Sequence, residues 1–138
     1  QLENLKWAVC RRREIADLYN QYLAEVKGIT LPMKNQGFGE NINWVYAITI
    51  NQNLSLTAKE LRGDLHEHGI GTRSFFYPLH LQPLLQNQNI NYRIHEDCTN
   101  SELLYERGLY LPSGLGLKDE EVETVCIKLK KNLSRYYE

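Results

Sequence analysis

The sequence predicts one α+β domain, a two-layer sandwich in which three strands form a sheet and helices pack on one face of it. Two observations support this fold class. The chain has 138 residues, 42% of them hydrophobic, which is enough to bury a single core. Segments with apolar residues at helical spacing also alternate with short apolar runs typical of strands, in the order helix, strand, helix, strand, short helix, strand, helix.

The first helix is predicted over residues 2–26, where apolar side chains recur at intervals of three and four. At about 1.5 Å per residue it would be roughly 37 Å long, which is longer than a small domain needs. We therefore expect residues 1–26 to bridge to another domain and residues 27–138 to form the α+β body. An exposed apolar patch is expected near Leu5 and Trp7, with self-association or disorder of the first turns as its consequence.

The next elements are a strand and a capped helix. Residues 44–50 are apolar at nearly every position, which predicts a central strand with at least partial cover on both faces. Thr57 and Glu60 have the spacing of a capping box, so a helix is predicted from there to about His68. Gly69 is expected to end it, because glycine adopts the left-handed conformation easily. The predicted buried positions of this helix are Ala58, Leu61 and Leu65.

A second strand is predicted over residues 72–77, which are rich in β-branched and aromatic side chains, and Pro78 is expected to end it because proline has no backbone donor for the ladder. The polar residues 84–100 then predict a loop.

The last part of the chain is predicted to contain two helices around a strand. Residues 99–102 repeat the capping-box spacing at the start of a short helix that ends near Arg107. Residues 109–111 form the last strand, and residues 119–136 form the last helix. Lys118 stands at the start of that helix and caps it less well than serine or threonine would. The predicted buried positions of the last helix are Val122, Val125, Cys126, Leu129 and Leu133.

The charge of the chain argues against binding to nucleic acid or to anionic membranes. The net charge is −1 and the isoelectric point is near 6.5, so no broad electrostatic attraction to either surface arises. Residues 11–13 are three arginines in a row, but Glu14 and Asp17 follow at once. A solvated helix face or an interdomain ion-pair site is therefore expected for them.

Compartment and metal content are predicted from the same composition. No stretch approaches the length of a membrane span, and the chain opens with a charged amphipathic pattern rather than a signal peptide, so we expect a cytoplasmic protein. The cysteines are odd in number and none has zinc spacing to a histidine, which predicts reduced thiols and no metal site. They are Cys10, Cys98 and Cys126.

The candidate functional residues are Arg73, Tyr77 and His80, at and just beyond the end of the second strand. Loops that leave rigid elements often meet ligands. Arginine offers paired donors to a carboxylate or phosphate, tyrosine an apolar face with a polar tip, and histidine a group that donates or accepts hydrogen bonds. The alternative interpretation is structural. The aromatic residues would then belong to the core, Arg73 would be a charge at the sheet edge or would hold the turn, and His80 would be an ordinary loop histidine. The position of Arg73 within the strand favours a structural role for that residue.

Residues 69–83 read GIGTRSFFYPLHLQP and closely resemble the carboxy-terminal part of the DegT/DnrJ/EryC1/StrS family, pyridoxal-phosphate-dependent aminotransferases that act on nucleotide-linked keto-sugars. Within the family, the run 75–80 is most similar to perosamine-synthetase types, which aminate a GDP-linked 4-keto-6-deoxy sugar. Three further stretches fall in the family's order, namely residues 12–16 with Tyr19, residues 43–46 and residues 108–114.

The resemblance implies the small domain of a fold-type-I pyridoxal enzyme, with a small, mainly antiparallel sheet. It also implies that residues 1–138 are the carboxy-terminal domain of a longer, homodimeric aminotransferase whose large domain holds pyridoxal 5'-phosphate. No lysine here lies in a stretch that resembles the family's lysine motif. Catalytic and cofactor-binding residues are therefore expected to be absent, and the chain alone to be inactive.

For substrates, the resemblance implies a nucleotide-linked keto-sugar and an amino donor such as glutamate, in the biosynthesis of bacterial surface polysaccharide or a related amino sugar. Tyr77 and His80 are then expected at the mouth of the active site, where they would touch the sugar or its nucleotide. The alternative function is a freestanding α+β module that binds a small molecule or a partner without catalysis.

Overall fold

The computed structural model describes residues 2–35, 37–86 and 97–136. In these ranges the chain forms four α-helices and four strands, joined by turns that include three short 3₁₀ segments at Leu2–Asn4, Leu79–Leu81 and Ser134–Tyr136. In chain order the elements are α1 (Leu5–Leu23), β1 (Ile29–Thr30), β2 (Tyr46–Ile50), α2 (Ala58–Glu67), β3 (Arg73–Ser74), α3 (Thr99–Arg107), β4 (Gly108–Leu111) and α4 (Asp119–Leu133).

The four strands form one antiparallel sheet in the order β1-β2-β4-β3. In its centre Tyr46 lies opposite Leu111 and Ile48 lies opposite Leu109. The predicted α+β class, the antiparallel sheet and the central position of β2 are confirmed. The strand predicted over 72–77 is too long, because pairing stops at Ser74 and the rings that follow pack on the sheet instead.

One strand was not predicted. Strand β1 has two residues, and Ile29 pairs with Ile50 of β2. A two-residue strand is too short to show the alternation of buried and exposed positions by which strands are recognised in a sequence.

The core lies on one face of the sheet, where alternate side chains of β2 are buried beneath the helices. Two tyrosines lie within it. The rings of Tyr19 on α1 and Tyr46 on β2 stack with centroids 4.5 Å apart. The hydroxyl of Tyr19 donates to the carbonyl oxygen of Pro112 (2.8 Å), and that of Tyr46 donates to Oδ1 of Asn20 (2.7 Å). Both polar tips are therefore satisfied inside an apolar core.

The buried positions predicted for α2 and α4 are confirmed. On α1 the buried side chains are Ile15, Ala16, Tyr19 and Leu23, whereas Leu5 and Trp7 near its start are exposed. The apolar patch expected at this end of the helix is therefore present. Self-association through the patch, and a bridge from α1 to another domain, stay predictions.

The three arginines of α1 make contacts within the domain, which corrects the expectation of a solvated face or an interdomain site. Arg11 donates to Oδ1 of Asp119 (2.9 Å) and to the carbonyl oxygen of Leu117 (2.6 Å). Arg12 donates to the carbonyl oxygen of Trp44, and Arg13 pairs with Glu40 at 2.8 Å. Because neighbouring residues on a helix point in different directions, one helical turn binds both the start of α4 and the loop before β2. Within the described ranges the partners of the three arginines are Glu14, Glu40, Trp44, Leu117 and Asp119.

The capping box predicted for α2 is confirmed. Thr57 Oγ1 accepts a hydrogen bond from the backbone N–H of Glu60 (3.3 Å), and the Glu60 carboxylate accepts from the backbone N–H of Thr57 (2.8 Å). The Glu60 carboxylate also accepts from the Thr57 hydroxyl (2.7 Å), and the bonds it accepts, first from the Thr57 backbone and then from this hydroxyl, hold the pKa of Glu60 below its usual value. Gly69, just past the helix, has φ +74°, as expected for a left-handed helix stop.

The second predicted capping box is wrong. Thr99 is the first residue of α3 rather than its cap, and both its backbone N–H and its hydroxyl donate to Oδ1 of Asp97. The carboxylate of Glu102, which a capping box would need at this helix start, instead contacts the ring of His80. At the start of α4 the carboxylate of Glu121 accepts from the backbone N–H of Lys118 (2.7 Å), so the lysine cap has partial support.

Of the loop predicted over 84–100, residues 87–96 lie outside the described residues. Among the helices that the structure does describe, none combines the length and the apolar character that a membrane crossing requires.

Candidate functional site

The candidate site lies where the chain leaves the edge strand β3 and meets α3. After Ser74 the chain passes through three aromatic residues to the buried Pro78, and the 3₁₀ turn Leu79–Leu81 then carries His80. The ring of Phe75 stacks on Tyr110 of β4, with centroids 4.7 Å apart. The aromatic residues before the turn therefore pack on the second face of the sheet, which fixes where the turn begins.

His80 is held at its side chain and at its backbone. Its Nε2 lies 2.8 Å from Oε1 of Glu102, and its carbonyl oxygen accepts a hydrogen bond from Nε2 of Gln86 (3.1 Å). The His80 side chain is only 14% exposed, whereas that of Glu102 is 50% exposed. Because an ionised carboxylate only accepts hydrogen bonds, the imidazole must carry a proton on Nε2 and donate it to Glu102.

Tyr77 packs against the same helix. Its ring meets that of Tyr105 edge to face, with centroids 5.0 Å apart and planes at 85°. Glu102 and Tyr105 are three residues apart on α3 and therefore lie on one face of it. That single face contacts both ends of the 77–80 turn, at the ring of Tyr77 and at the ring of His80.

The position of α3 is itself fixed at its carboxyl end. Nη1 of Arg107 donates to the carbonyl oxygens of Asn51, Leu54 and Leu56, at 3.2, 2.8 and 3.2 Å. At the next residue, a Cβ on Gly108 would lie 2.4 Å from the carbonyl oxygen of Leu104, so no larger residue fits there without a backbone shift. The helix that supports the turn therefore has little freedom to move relative to the sheet.

Arg73 lies apart from this arrangement. It is exposed on the edge strand, where its backbone pairs opposite Tyr110, and its side chain makes no hydrogen bond or ion pair with any residue in the described ranges. If Arg73 holds the turn to an acidic residue, as the structural alternative requires, that acid does not lie within the described ranges. Of the three candidate residues, the structure brings Tyr77 and His80 together on α3, and Arg73 is not joined to them by a described contact.

Two residues of the site were missed in the sequence, namely Glu102 and Tyr105. The prediction assigned Glu102 to a capping box, which accounted for its carboxylate without the need for a distant partner. No residue of α3 is buried in the structure, so no apolar stripe in the sequence marks the face of this helix that meets the turn. A short helix without a buried stripe is held by contacts of its polar and aromatic side chains, and these contacts here are made with the turn.

One protein-family model matches most of the chain, including this turn. The model described as the DegT/DnrJ/EryC1/StrS aminotransferase family matches residues 1–130. The chain belongs to this family. The resemblance inferred from residues 69–83 is thereby confirmed, and the turn that carries Tyr77 and His80 lies well inside the matched range.

Curated relatives in the DegT/DnrJ/EryC1/StrS family are considerably longer than this chain. GDP-perosamine synthase of Vibrio cholerae is 28% identical over 131 residues, which cover 94% of this chain and 34% of that protein. The chain therefore spans about a third of the length of the curated relatives it matches.

Solved structures of similar fold come from enzymes with different reactions. The aminotransferase TlmJ from Streptoalloteichus hindustanus has a TM-score of 0.82 at 27% identity, over 98% of this chain and 34% of that one. The GDP-4-keto-6-deoxy-D-mannose-3-dehydratase of E. coli, solved with bound hydrated PLP, has a TM-score of 0.80 at 19% identity, over 94% and 32%. This second likeness shows the fold alone. The same domain fold thus occurs in a protein named as an aminotransferase and in one named as a dehydratase. The fold therefore does not determine the reaction.

The lysines of this chain do not fit a covalent bond to pyridoxal phosphate. All eight lie in the described ranges, and all are exposed except Lys128, which is partly exposed. Lys59 lines a cleft of about 490 Å³ between α2, β3 and α3, but it too is exposed. A lysine that reacts with a carbonyl cofactor is usually activated in a desolvated pocket or beside another cation. Among the described residues no lysine lies in a desolvated pocket of this kind.

Proposed function

We propose that the chain is the substrate-side domain of a pyridoxal-phosphate-dependent aminotransferase that transfers an amino group from glutamate to a GDP-linked 4-keto-6-deoxy sugar. The pathway would be the biosynthesis of a bacterial surface polysaccharide or a related amino sugar. The contact between His80 and Glu102, at the end of an edge strand and beside the exposed ring of Tyr77, carries this proposal. Family membership supports the reaction class, and the perosamine synthase relative supports the sugar.

The residues around the turn suit a sugar nucleotide. An exposed tyrosine ring offers an apolar face to a sugar or base, and a fixed imidazole can bond one hydroxyl in one direction. Both groups stand on a rigid support, which lowers the entropy lost when a ligand is ordered against them. Arg73, exposed and without a described partner, is proposed to meet a phosphate or carboxylate separately from the turn.

The cofactor chemistry would come from outside this domain. Pyridoxal phosphate acts as an electron sink for the carbanion formed during amino transfer. Because the lysines here do not fit its attachment, we propose that a large domain provides the lysine, the acid for the pyridine nitrogen and the donors for the phosphate. Residues 1–26 would bridge to that domain, residues 27–138 would form the small domain, and the complete protein would be a homodimer.

The second candidate function is a binding module without catalysis. It would use the same turn for a ligand and need no further domain. The match to an aminotransferase family over residues 1–130 supports the first function over this one.

An activity assay on the complete polypeptide that contains this domain tests the proposal. With pyridoxal phosphate, glutamate and a GDP-linked 4-keto-6-deoxy sugar, we expect stoichiometric 2-oxoglutarate and amino-sugar, and a slower reaction with the dTDP-linked analogue. The isolated 138-residue chain should fold, show no activity and lose all cofactor absorbance on dialysis. An isolated chain that keeps the cofactor band, or a complete polypeptide that binds the GDP-sugar without transferring an amino group, would overturn the proposal.

A further inference from the structure

We propose that Glu102 is a positioning residue for His80: it binds the Nε2 proton of the ring and thereby leaves Nδ1 as a hydrogen-bond acceptor for a hydroxyl group of the sugar. This inference rests on the proposed function, because it specifies how the turn would meet the sugar.

The geometry at Nε2 determines which nitrogen carries the proton. Nε2 of His80 and Oε1 of Glu102 are 2.8 Å apart, and an ionised carboxylate only accepts hydrogen bonds. In the neutral ring the single N–H must therefore be on Nε2, and Nδ1 must carry a lone pair. Within the described ranges no residue makes a hydrogen bond to Nδ1.

The support around the pair makes this orientation stable. The backbone of His80 is tied by Gln86, the neighbouring Tyr77 packs on Tyr105, and α3 is anchored through Arg107. A ring whose backbone and Nε2 are both fixed keeps Nδ1 in one direction. Holding a binding group in a fixed direction is what a supporting residue contributes to recognition, because a looser group must be ordered by the substrate itself.

The orientation also selects the chemical class of the contact. A lone pair on Nδ1 accepts a hydrogen bond from a hydroxyl and repels the oxygens of a phosphate, which are acceptors only. A ring that carries its single proton on Nε2 would therefore bind a sugar hydroxyl and not the diphosphate. This assigns the 77–80 turn to the sugar end of a nucleotide sugar.

Nitrogen-15 NMR of the 138-residue chain tests the positioning directly, without any activity. An imidazole N–H usually exchanges too fast with water to be observed, but one held by a carboxylate exchanges slowly. We expect a His80 Nε2–H signal in the wild-type chain, its loss in Glu102→Ala and its retention in Glu102→Gln, whose amide oxygen still accepts. Glu106→Ala removes the same charge one turn further along α3 and should keep the signal. No signal in the wild type, or a persistent one in folded Glu102→Ala, overturns the inference.

Kinetics on the complete polypeptide provide the second readout. Glu102→Ala should lower kcat/KM for the keto-sugar by about tenfold, a factor that corresponds to about 1.4 kcal/mol. Glu102→Gln should recover most of that loss, and Glu106→Ala should be unaffected. If the NMR signal behaves as expected while His80→Ala keeps full activity, then the pair is real but the proposed role of the turn is wrong. If His80→Ala is impaired and Glu102→Ala is not, the turn binds substrate and the positioning role is wrong.

Discussion

Two pairs of tyrosines illustrate how differently two regions of this domain use the same side chain. Tyr19 and Tyr46, between α1 and β2, stack and are 0% exposed, and each hydroxyl has a partner. Tyr77 and Tyr105, between the turn and α3, meet edge to face and are 43% and 37% exposed. The first pair fills a core, whereas the second holds a turn in place and keeps a ring surface in contact with solvent. The comparison separates a region that supplies stability from one that is available for recognition.

The electrostatics of the two regions differ in the same way. Burial raises the pKa of Tyr19 and of Tyr46 above the ordinary value, and it raises the pKa of Cys126 beside them to about 12. These groups are neutral and inert in the folded protein. At the turn the groups are a carboxylate and an imidazole in contact, with half of the carboxylate exposed. Only this second region offers groups that can exchange hydrogen bonds with a ligand.

The largest effect is expected when the two tyrosine pairs are each broken. Tyr46→Ala should lower the free energy of unfolding by about 3–5 kcal/mol, because it opens a cavity in the core. Tyr77→Ala should lower it by about 1 kcal/mol, the order of one exposed aromatic contact. Urea unfolding of both variants measures the difference. Equal losses in the two variants would mean that the turn belongs to the core, and the division into two regions would fail.

A second prediction concerns the support beneath the turn. Arg107→Ala removes the donor for three carbonyl oxygens and should cost about 2 kcal/mol of unfolding free energy. Arg135→Ala, which removes a charge from an exposed position, is the matched control and should change stability by less than about 0.5 kcal/mol. Thermal unfolding of the two variants is sufficient for the comparison. A loss in Arg107→Ala no larger than that of the control would show that α3 is held by other contacts.

The third prediction is a loss of stability at high pH that originates in the core. The pKa of Cys126 is about 12 in the folded chain, against an ordinary value of 9.0, so above pH 9 the unfolded chain releases a proton that the folded chain keeps. The contribution of Cys126 to the free energy of unfolding should therefore be constant below pH 9 and fall as the pH rises from 9 toward 12, by up to about 1.4 kcal/mol per pH unit. The buried tyrosines add to the fall above pH 10, because their pKa values are also raised.

Urea unfolding between pH 8 and pH 11 measures this slope. Cys126→Ala should make it shallower, whereas Cys10→Ala, at an exposed position on α1, should leave it unchanged. A slope that is identical in all three chains would show that Cys126 does not contribute to the alkaline loss.

The sequence predicted those features that depend on neighbours along the chain. The capping box at Thr57 and the glycine stop at Gly69 are local, and each follows from the chemistry of a few adjacent residues. The buried stripe of α4 is equally local, because helical spacing alone defines it.

Contacts between distant parts of the chain were not predictable in this way. His80 and Glu102 are 22 residues apart, and Arg11 and Asp119 are 108 residues apart. No periodicity relates such pairs, because the sheet order and the helix packing bring them together. For the same reason the candidate site was predicted in part: its turn was recognisable from residue types, but the helix face that holds the turn was not.

The central claim is that the turn binds the sugar, and separate measurement of the two half-reactions tests it most directly. In the complete polypeptide, His80→Ala should slow the half-reaction with the keto-sugar by about tenfold to a hundredfold, because a sugar hydroxyl left without its partner in the site costs about 1 to 3 kcal/mol. The half-reaction with the amino donor should stay within about twofold of wild type, since His80 would not touch that substrate. The stability of the domain should fall by no more than about 1 kcal/mol, because Glu102, the partner of His80, is half exposed. An unchanged sugar half-reaction, or an equal loss in both half-reactions, would contradict the account.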